Sequence, residues 1–132
     1  MIGLVLVAHG ALADEFLSAM QYVVGPQKQI ATVGLFPKDD IQKRREEILQ
    51  KVQEVDDGSG VIVLTDMFGG TPSNLSISII ERGNIEVLAG LNLPMLIKLS
   101  GLREDVSLKE AVEAAQDAGK KYITIASKFL GK

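Results

Sequence analysis

Ile2-Gly3-Leu4-Val5-Leu6-Val7-Ala8-His9-Gly10 opens the chain with an unbroken apolar run that ends on a histidine and a glycine. The run is about one strand long, and its lack of polar alternation fits a strand covered on both faces, as parallel strands in α/β proteins are. No basic flank precedes it and no small-residue cleavage pattern follows, so it reads as a strand and not as a signal peptide. Gly60 to Thr65 repeats the pattern, and three further β-branched runs lie at Ile30 to Phe36, Ile85 to Ala89 and Tyr122 to Ala126.

Helix-period segments alternate with these runs. Phe16, Leu17, Met20, Val23 and Val24 share one helical face, and Gly25-Pro26 stops that helix. Asp39 or Asp40 can cap a second helix with an apolar face of Ile41, Ile48, Leu49 and Val52, ending at Asp56-Asp57-Gly58. Thr71-Pro72 suits an N-cap followed by proline at the first helical position, which predicts a helix to about Glu81 that ends near Gly83. Asn92 with Pro94 starts a short helix ending at Gly101. Ser107 and Glu110 form a capping box for a helix through Leu108, Ala111, Val112 and Ala115, closed by Gly119. The alternation predicts an α/β fold: a mainly parallel, doubly wound sheet of strand order about 2-1-3-4, with a fifth, antiparallel strand at the C-terminus.

At 132 residues, 46% of them apolar, the chain suits one domain with one sizeable core. Its net charge of -3 and its lack of like-charge runs point away from nucleic acid. The absence of cysteine removes disulfides, iron–sulfur clusters, thiolate zinc sites and cysteine nucleophiles. No apolar stretch approaches the roughly 20 residues of a membrane-spanning helix, so a membrane role would come through a partner. A cytoplasmic setting is compatible with all of this.

His9 is the only histidine. It ends the first strand, at the carboxyl edge where open α/β sheets bind ligands. Asp66 ends the third strand, which the expected order places beside the first, so the carboxylate and the imidazole would share one crevice. A carboxylate that accepts Nδ1–H would fix the tautomer and leave Nε2 as the nucleophile for a phosphoryl group. The plainer readings are a histidine bonded to a loop and an aspartate that binds its own downstream amides. After Asp66 comes Met67-Phe68-Gly69-Gly70-Thr71-Pro72-Ser73-Asn74, a glycine-rich turn entering a helix, which outlines an anion cradle without being a P-loop or a dinucleotide fingerprint.

Leu6-Val7-Ala8-His9-Gly10, Thr65 to Asn74, and Leu88-Ala89-Gly90-Leu91-Asn92-Leu93-Pro94-Met95-Leu96 together resemble the three signature blocks of the mannose-family IIA domain of the bacterial phosphotransferase system. The resemblance spans essentially the whole chain. It implies one IIA domain over residues 1–132, in which His9 accepts a phosphoryl group from phospho-HPr and passes it to a IIB-type acceptor. It also implies that Asp66 orients His9, that Gly10, Gly69, Gly70, Thr71 and Ser73 surround the phosphoryl oxygens, and that the chain forms a homodimer with its last strand near the boundary. The donor is already a phosphoramidate, so no metal and no cofactor is expected.

With no IIB segment after Lys132, sugar uptake through a partner permease, a regulatory phosphorelay and the phosphocarrier piece of a dihydroxyacetone kinase all remain compatible with the resemblance. A receiver-like module phosphorylated on Asp66 fits less well: it needs an acidic pair after the first strand, where Ala8-His9 stands, and Asp14 and Glu15 come a turn too late. A module that only binds a small anion at the Gly-Gly turn is the third reading.

Overall fold

The two uninterrupted apolar runs, β1 (Gly3–His9) and β3 (Val61–Thr65), lie side by side in the middle of a four-stranded sheet in the computed structural model of the chain. Residues 1–67 and 69–132 are described, with Arg82 by its backbone alone. β2 (Ile30–Leu35) and β4 (Ile85–Ala89) are the outer strands, all pairings are parallel, and the order is β2-β1-β3-β4, as expected.

Alternate residues of the central strands feed two cores. Leu4, Leu6, Ala8, Ile62 and Leu64 pack under α1 (Leu12–Val24), α4 (Leu93–Ser100) and α5 (Leu108–Lys121). Val5, Val7, Val61 and Val63 pack under α2 (Ile41–Val55) and α3 (Thr71–Ile77). Each buried Val or Leu contributes roughly 1.5–3 kcal/mol by leaving water, so the two cores hold β1 and β3 rigidly from both sides.

Three helix starts behave as the sequence predicts. Asp40 accepts the amides of Gln42 and Lys43, Asn92 accepts that of Met95, and Ser107 accepts that of Glu110. Asp39, the other cap candidate for α2, instead accepts from the Phe36 amide and from Arg44.

The structure corrects several expectations. No strand forms at Tyr122 to Ala126: this stretch leaves α5 as an exposed coil and turns into the short helix α6 (Ala126–Phe129). Ile123 and Ile125 carry a strand's alternation, but the segment pairs with no strand among the described residues. Its amides close local bonds instead, Ile123 N–H to Lys120 O and Phe129 N–H to Ile125 O.

Gly119 does not close α5, which runs on to Lys121. It sits buried inside the helix, where a β-carbon would meet Met95 Cγ at 2.7 Å, and this glycine serves the close approach of α5 to α4. The N-cap of α3 is Gly70, not Thr71, and α3 ends at Ile77 before a separate 3-10 turn, Ile80–Arg82. Ser76 Oγ and Ser78 Oγ donate to the carbonyls of Pro72 and Leu75, competing with the helical ladder where the longer helix was expected. Val23 and Ile41, assigned to buried helix faces, are exposed. Among the described residues no helix is long and apolar enough to cross a membrane.

Candidate functional site

Parallel pairing of β1 with β3 sets Val7 opposite Thr65, so His9 and Asp66 emerge together at the carboxyl edge of the sheet. The Asp66 carboxylate is mostly buried, with 11% of its side chain exposed, whereas the His9 side chain is 53% exposed. One carboxylate oxygen, Oδ2, accepts the His9 backbone N–H at 3.0 Å and lies 2.8 Å from His9 Nδ1. The other, Oδ1, accepts the Met67 amide at 2.9 Å. Burial alone would raise the Asp66 pKa, but the hydrogen bonds from the His9 amide and imidazole, the charge of the ring and the Met67 amide outweigh it and hold the carboxyl below its ordinary range. An ionised Asp66 can only accept, so Nδ1 carries the proton and the lone pair of the neutral ring sits on Nε2.

Gly10 turns the chain after His9 with a φ of +58°, and its amide donates to Leu35 O on β2 at 2.7 Å. Past Asp66, Gly69 takes a φ of +86°, a left-handed turn that glycine adopts without steric cost, and Gly70 enters α3. The first bond of that helix runs from Asn74 N–H to Gly70 O. The amides of Thr71 and Ser73 precede it and have no intrahelical acceptor, while Pro72 has no N–H. Phe68, part of the quoted motif, lies outside the described residues.

His9, Gly10 and Thr71 line one open groove of about 470 Å³. Ser73 does not join them at its surface: its side chain is buried beneath α3, and its hydroxyl, like that of Thr65, finds no hydrogen-bond partner among the described residues.

The rest of the lining comes from residues not assigned to the site by sequence: Leu35, Phe36, Pro37, Lys38, Asp39 and Ile41, from the end of β2 to the start of α2. The signal that places His9 applies to them as well, because β2 neighbours β1 and its carboxyl end opens onto the same crevice.

This architecture and sequence are shared with known proteins. The crystal structure of phosphotransferase system component EIIA from Streptococcus agalactiae superposes with a TM-score of 0.88 at 29% identity, over 97% of this chain and 99% of that one. The PTS system fructose-specific EIIA component of Bacillus subtilis is 28% identical over the whole of this chain and 91% of its own length. The PTS system mannose-specific EIIAB component of Escherichia coli is 29% identical over 92% of this chain, which spans 38% of that longer protein. The family model for the PTS system fructose IIA component matches residues 3–116, and the chain therefore belongs to the EIIA-man family of the phosphotransferase system.

Proposed function

We propose that the protein is a histidine phosphocarrier, which accepts a phosphoryl group on His9 Nε2 from phospho-HPr and yields it to a IIB-type acceptor. The observation that carries this reading is the 2.8 Å contact between His9 Nδ1 and a carboxylate that also accepts the backbone amides of His9 and Met67. In the forward step the Nε2 lone pair forms the new N–P bond while the donor's P–N bond breaks, and its electron pair returns to the donor imidazole. The Nδ1 proton stays in place, and the positive charge that develops on the His9 ring faces Asp66. Phosphoryl transfer asks chiefly for positioning and charge stabilisation, which a pinned imidazole and nearby amides supply.

In this reading Thr71 and the amides between Gly69 and Ser73 hold the phosphoryl oxygens, and Gly10 shapes the turn that presents the ring. Residues 1–132 act as one IIA unit in the cytoplasm, with any membrane role supplied by a partner permease. Tyr122, Ile123, Ile125, Phe129 and Leu130 are more than half exposed, and this apolar tail supports a homodimer in which a second copy covers it. A receiver-like role for Asp66 is disfavoured, because both of its oxygens are engaged by N–H groups.

The test is incubation with phosphoenolpyruvate, enzyme I and HPr. One acid-labile, base-stable phosphoryl group is expected on His9, and none on His9→Ala. Equal labelling of that variant, or a label that survives acid, would overturn the carrier reading.

A further inference from the structure

Lys38 adopts a φ of +70°, a left-handed conformation that residues with a β-carbon rarely take. The neighbours impose it. Asp39 folds back so that its carboxylate accepts the Phe36 amide at 2.8 Å, and its own N–H donates to Phe36 O at 3.3 Å. Arg44, one turn into α2, locks that carboxylate with a 2.9 Å bond from Nε and is itself held by Glu47 at 2.8 Å. These hydrogen bonds, that from Arg44 first, hold the Asp39 carboxyl below its ordinary range, so the lock stays charged at neutral pH.

This locked turn sets Lys38 on the wall of the groove that His9 and Thr71 line. Lys38 is exposed, and among the described residues no carboxylate lies within ion-pair distance of its ammonium. Its nearest acidic neighbours in the chain are otherwise occupied, Asp39 by Arg44 and Asp40 by the first amides of α2. Glycine would fit this backbone without strain, so a lysine here costs the fold stability that some other property must justify.

We infer that Lys38 is a phosphoryl-binding cation, whose ammonium reaches across the groove to the oxygens of a group being placed on His9 Nε2. The inference rests on the carrier reading of His9. The incoming phosphoryl group brings negative charge next to the Asp66 carboxylate that holds the ring, and a flexible cation lining the same groove offsets that repulsion as the group arrives. Being long and mobile, the ammonium releases the group again when it leaves for an acceptor.

Phosphoramidate tests this without a protein partner, since its P–N bond breaks as the N–P bond to His9 forms and its nitrogen departs as ammonia. Wild type, Lys38→Gln, Lys38→Gly and Lys38→Arg are compared, with Lys109→Gln on the exposed face of α5 as a control of equal charge change. Lys38→Gln and Lys38→Gly are expected to label His9 about 3- to 10-fold more slowly, and Lys38→Arg and Lys109→Gln at the wild-type rate. Lys38→Gly should at the same time melt at a higher temperature than wild type, which separates the loss of rate from any loss of fold. Equal rates for all five proteins, or equal slowing by Lys109→Gln, would overturn the role of Lys38 and leave His9 as the carrier. Absence of His9 labelling in every protein would overturn both.

Discussion

Gly70 lies against the edge of the His9 ring: a β-carbon on it would stand 3.2 Å from His9 Cε1 and 3.4 Å from Met67 Cγ. Cε1 is the carbon between the two ring nitrogens, so pressure there tilts Nε2 and strains the Nδ1 contact together. The backbone at Gly70, with a φ of -86°, accepts alanine without strain. Gly70→Ala should therefore leave the melting temperature within a few degrees of wild type while slowing phosphotransfer to His9 roughly 3- to 30-fold, a cost of about 0.7–2 kcal/mol at the transition state. Rapid-quench transfer beside a thermal melt checks this, and an unchanged rate would show that the ring has room to move.

Asp66→Asn separates charge from geometry. An amide oxygen can still accept from Nδ1 but offers no negative charge to the developing imidazolium, so transfer should slow roughly 10- to 1000-fold with His9 still the labelled residue. Since the folded-state pKa of Asp66 is depressed, its contribution to stability is present above the unfolded carboxyl pKa and is lost as pH falls through the folded value. The stability difference between wild type and Asp66→Asn should accordingly change as pH falls below the ordinary carboxyl range. Urea titrations at a series of acid pH values measure this, and a difference that stays constant there would contradict it.

At the opposite end of the sheet from His9, Arg103 is 3% exposed, and its guanidinium donates to Ile2 O at 2.9 Å and Gln29 O at 2.8 Å. It ties the start of β1 to the entry of β2. Arg103→Ala would remove the guanidinium donor from Ile2 O, leave Gln29 O with only the Leu4 amide at 3.0 Å, and create a void, so a loss of about 2–4 kcal/mol is expected by chemical denaturation. Arg103→Lys should recover little, because an ammonium cannot span both carbonyls with the geometry of the planar fork. Full recovery by lysine would show that charge alone matters there.

Sedimentation at micromolar concentration should show a species of twice the 14.2 kDa chain mass. Ile123→Asp combined with Ile125→Asp, which alters two exposed side chains, should shift it towards monomer without lowering helix content. A wild-type protein that sediments at the monomer mass would rule out the dimer.

Much of this molecule is legible in its sequence because β1 and β3 are apolar on both faces, which dictates their central place and brings His9 beside Asp66. The caps at Asp40, Asn92 and Ser107 are equally legible, since each is a local bond between a short side chain and an amide a few residues away. What escapes is whatever a distant neighbour decides. Gly119 reads as a helix stop until Met95 is seen pressed against it. Ile123 and Ile125 read as a strand although no strand among the described residues offers them a ladder. Lys38 carries no local mark of its left-handed turn, which is set by the Asp39–Arg44 lock, and Arg103 looks like any surface arginine until its two carbonyls are known.

β1 is hydrogen-bonded along both edges and packed on both faces, and His9 is its final residue, held by Asp66 through backbone and ring alike. Such a residue cannot swing between two stations. If the phosphoryl group comes and goes at Nε2, donor and acceptor must use the same berth in turn, and the protein works as a turnstile that admits one visitor at a time. An excess of spent donor should then obstruct delivery to the acceptor by occupying that berth, and throughput should peak at an intermediate donor concentration.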